Sequence, residues 1–388
     1  MRTLGFVTVG RSDYGIYLPI LRKIQEDPEL KLLLFVAGMH LSSRHGLTIQ
    51  MIEADGFTPA ARIEMIPEND TPRDIVLAIA RGLQGFSDVF LHNAPDILVV
   101  LGDRFEMYSA ALAALPFTIP VAHIHGGELT QGAIDDALRH SMTKLSHLHF
   151  VSTQEYAKRV MHLGEAPSRI IVAGAPGLDQ LDDFIPTDRE DLENKIGLPL
   201  NGSLLIVTYH PETLDFEHAG EQIDQILNAL DKLVLPVLFT LPNADTGGLE
   251  IAQRIRMFTA QHPNARLVEN LGTQLYFSLM KQAAAMVGNS SSGIIEAASF
   301  ELPVVNIGNR QSGRVRARNV IDVECRSGEI LKGIQTALDP AFKKSLKGLH
   351  NPYRSGNAAA IIVDTLKKIP LNRGLLVKEF YDELEVIH

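Results

Sequence analysis

Short apolar runs alternate with longer amphipathic segments along almost the whole chain. In the first half the runs cover residues 4–9, 32–36, 97–101, 120–124, 147–151 and 170–172. Between them the spacing predicts helices over 16–26, 46–54, 72–91, 105–115, 135–145 and 154–163. Strands that are apolar along nearly their whole length, with helices between them, mark a parallel sheet covered on both faces. The pattern breaks between residues 174 and 200, where Gly174-Ala175-Pro176-Gly177, Pro186-Thr187-Asp188 and Gly197-Leu198-Pro199 gather turn formers. It then restarts. Strands are expected at 203–209, 236–241, 266–269, 284–288, 303–307 and 320–323, and helices over 215–232, 248–261, 274–281, 293–300 and 328–338. At 388 residues the chain is too long for one ordinary core. The expected fold class is α/β, with two Rossmann-like domains facing a cleft. The expected divisions are residues 1–175, residues 176–365 and a helical C-terminal tail over 366–388.

Charge and cysteine usage narrow the partners. A net charge of −10 and a pI near 5.8 argue against nucleic acid or an anionic membrane as a general partner. Cys325 is the single cysteine, which excludes an intrachain disulfide and a cysteine-based metal cluster. The apolar run at the N-terminus is too short for a signal peptide. The apolar stretch 110–124 is broken by Pro116, Pro120 and His123 and falls short of the roughly 20 residues a span needs. A soluble, cytoplasmic protein is expected.

In parallel α/β sheets ligands sit at the carboxyl ends of the strands, so the polar residues that follow each apolar run are the candidates. Asn289-Ser290-Ser291-Ser292-Gly293 follows one run and opens a helix, and Glu296 lies one turn further in. Unpaired first-turn N–H groups and serine hydroxyls suit a diphosphate, although a serine N-cap alone would give the same pattern. Gly10-Arg11-Ser12-Asp13-Tyr14 follows the first run; it is neither a GxGxxG nor a P-loop, and Arg11 could pair with a phosphate. After the run 97–101, Asp103 has the chemistry of a base and Arg104 that of a phosphate partner. His123-Ile124-His125-Gly126-Gly127-Glu128 resembles a metal motif, with the two histidines sharing one strand face, but it offers only Glu128 as a third ligand. Acid/base or sugar-positioning work suits it better. Asp135-Asp136 opens a helix, where pairing with Arg139 and His140 at helical spacing is the plain alternative. In the second half His210, Asn243 and Arg310 follow runs of their own, and Arg310, Arg314, Arg316 and Arg318 form a basic cluster in an acidic chain.

Taken as an ordered set, these motifs resemble one family. Gly-Arg-x-Asp-Tyr, Gly-Asp-Arg-Phe-Glu, His-x-x-Gly-Gly-Glu, Ile-Asp-Asp, His-Pro, Pro-Asn-x-Asp, Asn-Ser-Ser-x-Gly and Gly-x-Arg-Gln are similar to those of the hydrolysing UDP-N-acetylglucosamine 2-epimerases of sialic acid biosynthesis. They equally resemble the relatives acting on UDP-N,N'-diacetylbacillosamine. The resemblance runs from about residue 5 to residue 320 and implies the glycosyltransferase-B architecture. It implies that a UDP-sugar and water give UDP and a free 2-epimerised sugar through a 2-acetamidoglucal, with no cofactor and no metal. It assigns UDP to Arg11, His210, Asn243, Ser290, Ser291 and Arg310, and sugar or ribose hydroxyls to Glu296. Arg104 would face the diphosphate or sugar, and Asp103 and Asp135 would do acid/base work. Many relatives carry glutamate where this chain has His125, so the remaining acid/base partner is His125 or Glu128. A homo-oligomer, dimer or tetramer, is also implied. A glycosyltransferase of the same architecture and a non-catalytic nucleotide-sugar sensor are the alternatives. Turnover without an acceptor separates the first from an epimerase, and turnover of any kind excludes the second.

Overall fold

The computed structural model describes residues 1–200, 203–268 and 271–382. Seven parallel strands form the first sheet: β1 (Arg2–Thr8), β2 (Leu30–Ala37), β3 (Pro59–Ile63), β4 (Ile97–Leu101), β5 (Val121–Ile124), β6 (Leu148–Val151) and β7 (Ile170–Val172). Their order is 3-2-1-4-5-6-7. Six parallel strands form the second: β8 (Leu205–Thr208), β9 (Val237–Thr240), β10 (Ala265–Val268), β11 (Ala285–Gly288), β12 (Val304–Ile307) and β13 (Val320–Val323), in the order 10-9-8-11-12-13. Every strand of β4, β5, β6, β8, β9, β11 and β12 is buried along its length, as continuous apolar runs require when helices cover both faces.

Each sheet reverses its strand order once, between β1 and β4 in the first and between β8 and β11 in the second. Such reversals open a crevice at the carboxyl ends of the flanking strands. The β8–β11 seam is unusually tight. Gly288 has φ of +132°, and a Cβ built there would lie 1.9 Å from the Thr208 carbonyl oxygen, so only glycine fits where the chain leaves β11.

Several segments depart from the sequence expectation. β3 was not expected. It is an edge strand with alternating exposure, and Pro59 at its start weakens the apolar signal. The first helix runs over Arg11–Glu26 rather than from residue 16, because Asp13 turns inward and accepts hydrogen bonds from Thr8 Oγ1 (2.6 Å) and the Val9 N–H (2.9 Å). The helix expected over 46–54 is regular only from Ile49 to Ala54, and that over 215–232 only from Ala219 to Leu230. Helices Arg189–Ile196 and Ala358–Lys368 were not expected. The latter returns to the first sheet. Its Ala358, Ala359, Ile362 and Leu366 join the core of the first half, and Asp179 accepts from the Ala358 and Ala359 N–H groups at its start. In the tail, Arg373–Leu376 is helical and residues 377–382 are not. Glu269, expected in a strand, and residues 383–388 lie outside the described residues.

The helix Pro72–Asn93 is long and apolar enough to cross a membrane by length and composition. In this fold it buries Ile75, Ala78, Gly82, Phe86 and Phe90 in the first core.

Candidate active site

The carboxyl ends of both sheets line one cleft of about 890 Å³. Arg11, Asp103, Arg104, His125, Glu128 and Asp135 enter it from the first sheet. His210, Asn243, Ser290, Ser291, Glu296 and Arg310 enter it from the second. All twelve residues expected from the sequence are therefore brought together. Most stand in the loop that follows a strand or open the helix that comes next; Glu296 stands at the end of the short helix Ser291–Ile295.

On the first-sheet side, Asp103 and Arg104 follow β4. Asp103 Oδ2 accepts from Arg139 Nη2 and from Thr130 Oγ1 (3.0 Å). Burial pushes its carboxyl up, but the guanidiniums of Arg139, Arg314 and Arg310 prevail and hold it below the ordinary value. Asp103 is thus a fixed anion. Arg104 is not solvated. It pairs with Glu106 (3.2 Å) and reaches across the cleft to Asp245 (2.5 Å), which belongs to the second half.

His123 and His125 do not share a strand face. β5 ends at Ile124, and His125 takes a left-handed conformation with φ of +63°. His123 stays in the sheet, with Nε2 hydrogen-bonded to the Gly102 carbonyl at 2.8 Å. His125 Nδ1 lies 2.6 Å from Glu128 Oε1, while its Nε2 is buried without a protein partner. Among the described residues no group of three or more His, Cys, Asp or Glu is placed to hold a metal ion.

The two acids at 135–136 divide the readings considered above. Asp136 is structural: it accepts from the Thr130 N–H (2.7 Å) and lies 3.6 Å from His140. Asp135 lines the cleft instead. Burial, reinforced by the like charges of Asp245 and Asp103, lifts its carboxyl to about 7. A carboxyl poised there can both take and give a proton near neutrality.

On the second-sheet side, Asn289 organises the loops. Its Oδ1 accepts from the His210 N–H (2.7 Å), and its Nδ2 donates to the His210 carbonyl (2.8 Å). Its own carbonyl accepts from Gln311 Nε2 (2.8 Å) and Arg310 Nη1 (3.4 Å). Replacing Asn289 by alanine leaves two buried backbone groups unpaired, so unfolding by urea is expected to register a loss of about 2 kcal/mol. A change under about 0.5 kcal/mol would mean that the clamp holds nothing. His210 is neutral, because burial and the cations Arg310, Arg104 and Arg11 push its ring well below the ordinary value. Its Nδ1 accepts from the Asn243 N–H (3.2 Å), which leaves Nε2 as the ring's donor. Ser290 caps the helix Ser291–Ile295, accepting from the Ser292 N–H (3.3 Å). Burial lifts the Glu296 carboxyl to about 7, and its Oε2 has no protein partner.

Two site residues were not identified from the sequence. Arg139 lies one turn beyond Asp135 on the same helix face, a spacing that pointed only to a surface pair. Arg314 comes from the second half and enters the first. Its Nη1 lies 3.1 Å from Glu128 Oε2, a charge contact rather than an aligned hydrogen bond, and its Nε donates to the Leu129 carbonyl (2.6 Å). Arg316, from the same basic cluster, pairs with Asp322. The halves also meet where the Leu214 N–H donates to the Gly132 carbonyl (3.0 Å) and the Ile134 N–H to Thr213 Oγ1 (2.9 Å).

Comparison with known proteins agrees with this geometry. The profile of the family described as UDP-N-acetylglucosamine 2-epimerase matches residues 22–367. The chain is 36% identical to polysialic acid biosynthesis protein P7 of Escherichia coli, over 98% of both chains. It is 39% identical to the hydrolysing GDP/UDP-N,N'-diacetylbacillosamine 2-epimerase of Campylobacter jejuni, over 88% of this chain and 87% of that one. The crystal structure of UDP-GlcNAc 2-epimerase from Neisseria meningitidis bound to UDP-GlcNAc superposes with a TM-score of 0.79, at 21% identity, covering 95% of this chain and all of that one.

Proposed function

The chain belongs to the UDP-N-acetylglucosamine 2-epimerase family, and on that premise we propose that it is a hydrolysing 2-epimerase, converting UDP-N-acetylglucosamine and water to N-acetylmannosamine and UDP. The observation that carries this reading is the arrangement of one cleft, with cations, a neutral imidazole and serine hydroxyls on the second-sheet side and the proton-carrying Asp135 beside the anion Asp103 on the first. UDP takes the second-sheet side. Arg11 and Arg310 face the diphosphate, with His210 Nε2–H, Ser290 and Ser291 as neutral donors and Asn243 beside them. Glu296, poised near 7, gives and accepts hydrogen bonds at ribose or sugar hydroxyls. The sugar lies over Asp103 and Asp135 in the half over 1–175, with Arg104 beside the leaving oxygen.

The reaction follows from these groups. Asp135 takes the C2 proton. The C2–H electron pair forms a C1=C2 double bond, and the C1–O bond breaks with its pair leaving on UDP. Arg104 and Arg310 stabilise the charge that develops on the diphosphate. Water then adds across the double bond to give the opposite C2 configuration. Asp103, locked as an anion, stabilises positive charge at C1. Asp135 must be ionised to take the proton, so kcat/KM is expected to rise with pH and level off above about 7. Initial rates across that range check this, and a flat profile would assign the base to another group.

A second reading keeps the chemistry and changes the sugar to UDP-N,N'-diacetylbacillosamine; the 39% identical relative, named for that sugar, favours it. UDP release measured without any acceptor, with each UDP-sugar in turn, tests both readings. Release that required an acceptor would point to a glycosyltransferase. A cytoplasmic homo-oligomer belongs to the proposal. The outer side of the helix Pro72–Asn93, where Val76 and Leu91 are 65% and 69% exposed, supports self-association, and sedimentation velocity checks it.

A further inference from the structure

We propose that His125, through Nε2, delivers the proton to C2 in the hydration half of the reaction, and that Glu128 is the carboxylate that positions it. The assignment rests on the hydrolysing reading above. It resolves which member of the pair His125–Glu128 meets the substrate.

Glu128 is held from both oxygens. Its Oε1 is taken by His125 Nδ1 (2.6 Å) and by Ser152 Oγ (3.0 Å). Its Oε2 faces Arg314 Nη1 (3.1 Å) and Arg139 Nη1 (4.0 Å). Burial works against the charge, but His125, Arg314 and Arg139 hold the carboxyl far below the ordinary range. A carboxylate held this way carries no proton to give, and its charge is committed to the cations around it.

His125 is the converse. Nδ1 is fixed by Glu128, while Nε2 is buried, unpartnered and on a residue that lines the cleft. A carboxylate on one ring nitrogen with the other nitrogen open is the arrangement by which a histidine is oriented for proton transfer. The backbone is held in a left-handed conformation, uncommon for residues other than Gly but taken by His, Asn and Asp more readily than by most. The His125 N–H donates to the Phe150 carbonyl, and the His125 carbonyl accepts from Arg139 Nη1, both at 2.9 Å.

The two proton carriers have different surroundings. The charges that bear on Asp135 are Asp245, Asp103, Arg310 and Arg104. Around His125 stand Glu128 and Arg139, which it contacts, and Arg314, which faces Glu128. Asp135 therefore sits toward the arginines that face the leaving diphosphate, which suits elimination, and His125 serves the step that follows. In that step the doubly protonated ring gives its Nε2 proton to C2, and the C1=C2 pair becomes the new C2–H bond. Water bonds to C1 and returns a proton to the vacated Nε2. The proton that Asp135 took from C2 passes to solvent, balancing the charge that leaves on UDP. Arg314 reaches Glu128 from the second half, so the pair is complete only when the two halves are together.

The test is the full-length His125→Gly enzyme, since glycine takes the left-handed backbone freely. Given the UDP-sugar that the wild type turns over, it is expected to release UDP and accumulate the 2-acetamidoglucal. Free epimerised sugar should fall by about 10²-fold or more. Added imidazole is expected to restore the sugar. Sugar formation within tenfold of wild type, UDP release lost in step with sugar, or no recovery with imidazole would each overturn the assignment. If the glycine variant does not fold, His125→Asn, which also tolerates this backbone, is put through the same comparison without imidazole. Glu128→Gln is expected to lower kcat by about 10–100-fold with KM unchanged and to accumulate less glucal than His125→Gly. A larger loss at Glu128 than at His125 would reverse their roles. Wild-type enzyme that released UDP from neither sugar would instead remove the epimerase reading itself.

Discussion

Asp135→Asn is expected to abolish turnover, with kcat falling by about 10³-fold or more while UDP affinity changes little. The amide keeps the shape of the side chain but cannot hold and release a proton. UDP affinity should survive, because the groups proposed for UDP, His210, Ser290, Ser291 and Arg310, follow strands of the other sheet. Stability should move the opposite way from activity. A carboxyl raised to about 7 in the folded protein binds its proton more tightly there than in the unfolded chain. Its contribution to stability is full below the ordinary 3.8 and is lost as pH rises through about 7. Above that pH the ionised side chain opposes folding through burial and through Asp245 and Asp103, and asparagine removes that opposition. Melting at pH 8 should therefore be no lower in the variant than in wild type. A variant that kept more than a tenth of wild-type turnover would remove Asp135 from the chemistry. Loss of activity together with a lower melting temperature would indicate damage to the fold rather than to proton transfer.

Arg314→Met is expected to cost about 3–5 kcal/mol of stability and most of the activity. The guanidinium is 3% exposed and faces a Glu128 carboxylate that is 2% exposed. Removing it takes the nearest cation from Glu128 Oε2 in the interior, and methionine fills the volume without replacing the bonds to the Leu129 carbonyl and Thr130 Oγ1. Thr130 in turn donates to Asp103, so the loss reaches the sugar side of the cleft from a residue of the other half. Chemical denaturation measures the first effect and steady-state rates the second. The double variant Arg314→Met, Glu128→Gln should recover much of the stability and none of the activity. Full stability in Arg314→Met alone would show that the pair contributes nothing to holding the halves together.

The part of the site legible in the sequence is the part that a strand end exposes. Asp103 and Arg104, His125, His210 and Ser290 stand directly after buried apolar runs, and a parallel sheet sends such residues to one rim. Arg139 and Arg314 were harder to read for a physical reason. One lies inside a helix at a spacing that also fits a surface ion pair. The other lies in a basic loop whose partner is 186 positions away in sequence, between Glu128 and Arg314. The alternation of apolar runs carried most of the fold, because β4, β5, β8 and β11 are buried on both faces. β3 escaped because an edge strand needs only every second residue inside. The return of helix Ala358–Lys368 to the first sheet escaped because an amphipathic helix does not declare which sheet it covers.

The most direct measurement is proton NMR of the purified protein in D2O with UDP-N-acetylglucosamine, and then with UDP-N,N'-diacetylbacillosamine, and no acceptor. With one of the two, free sugar of inverted C2 configuration carrying deuterium at C2 should appear together with UDP. An epimerised sugar still joined to UDP, protium retained at C2, or silence with both substrates would contradict hydrolysing 2-epimerisation.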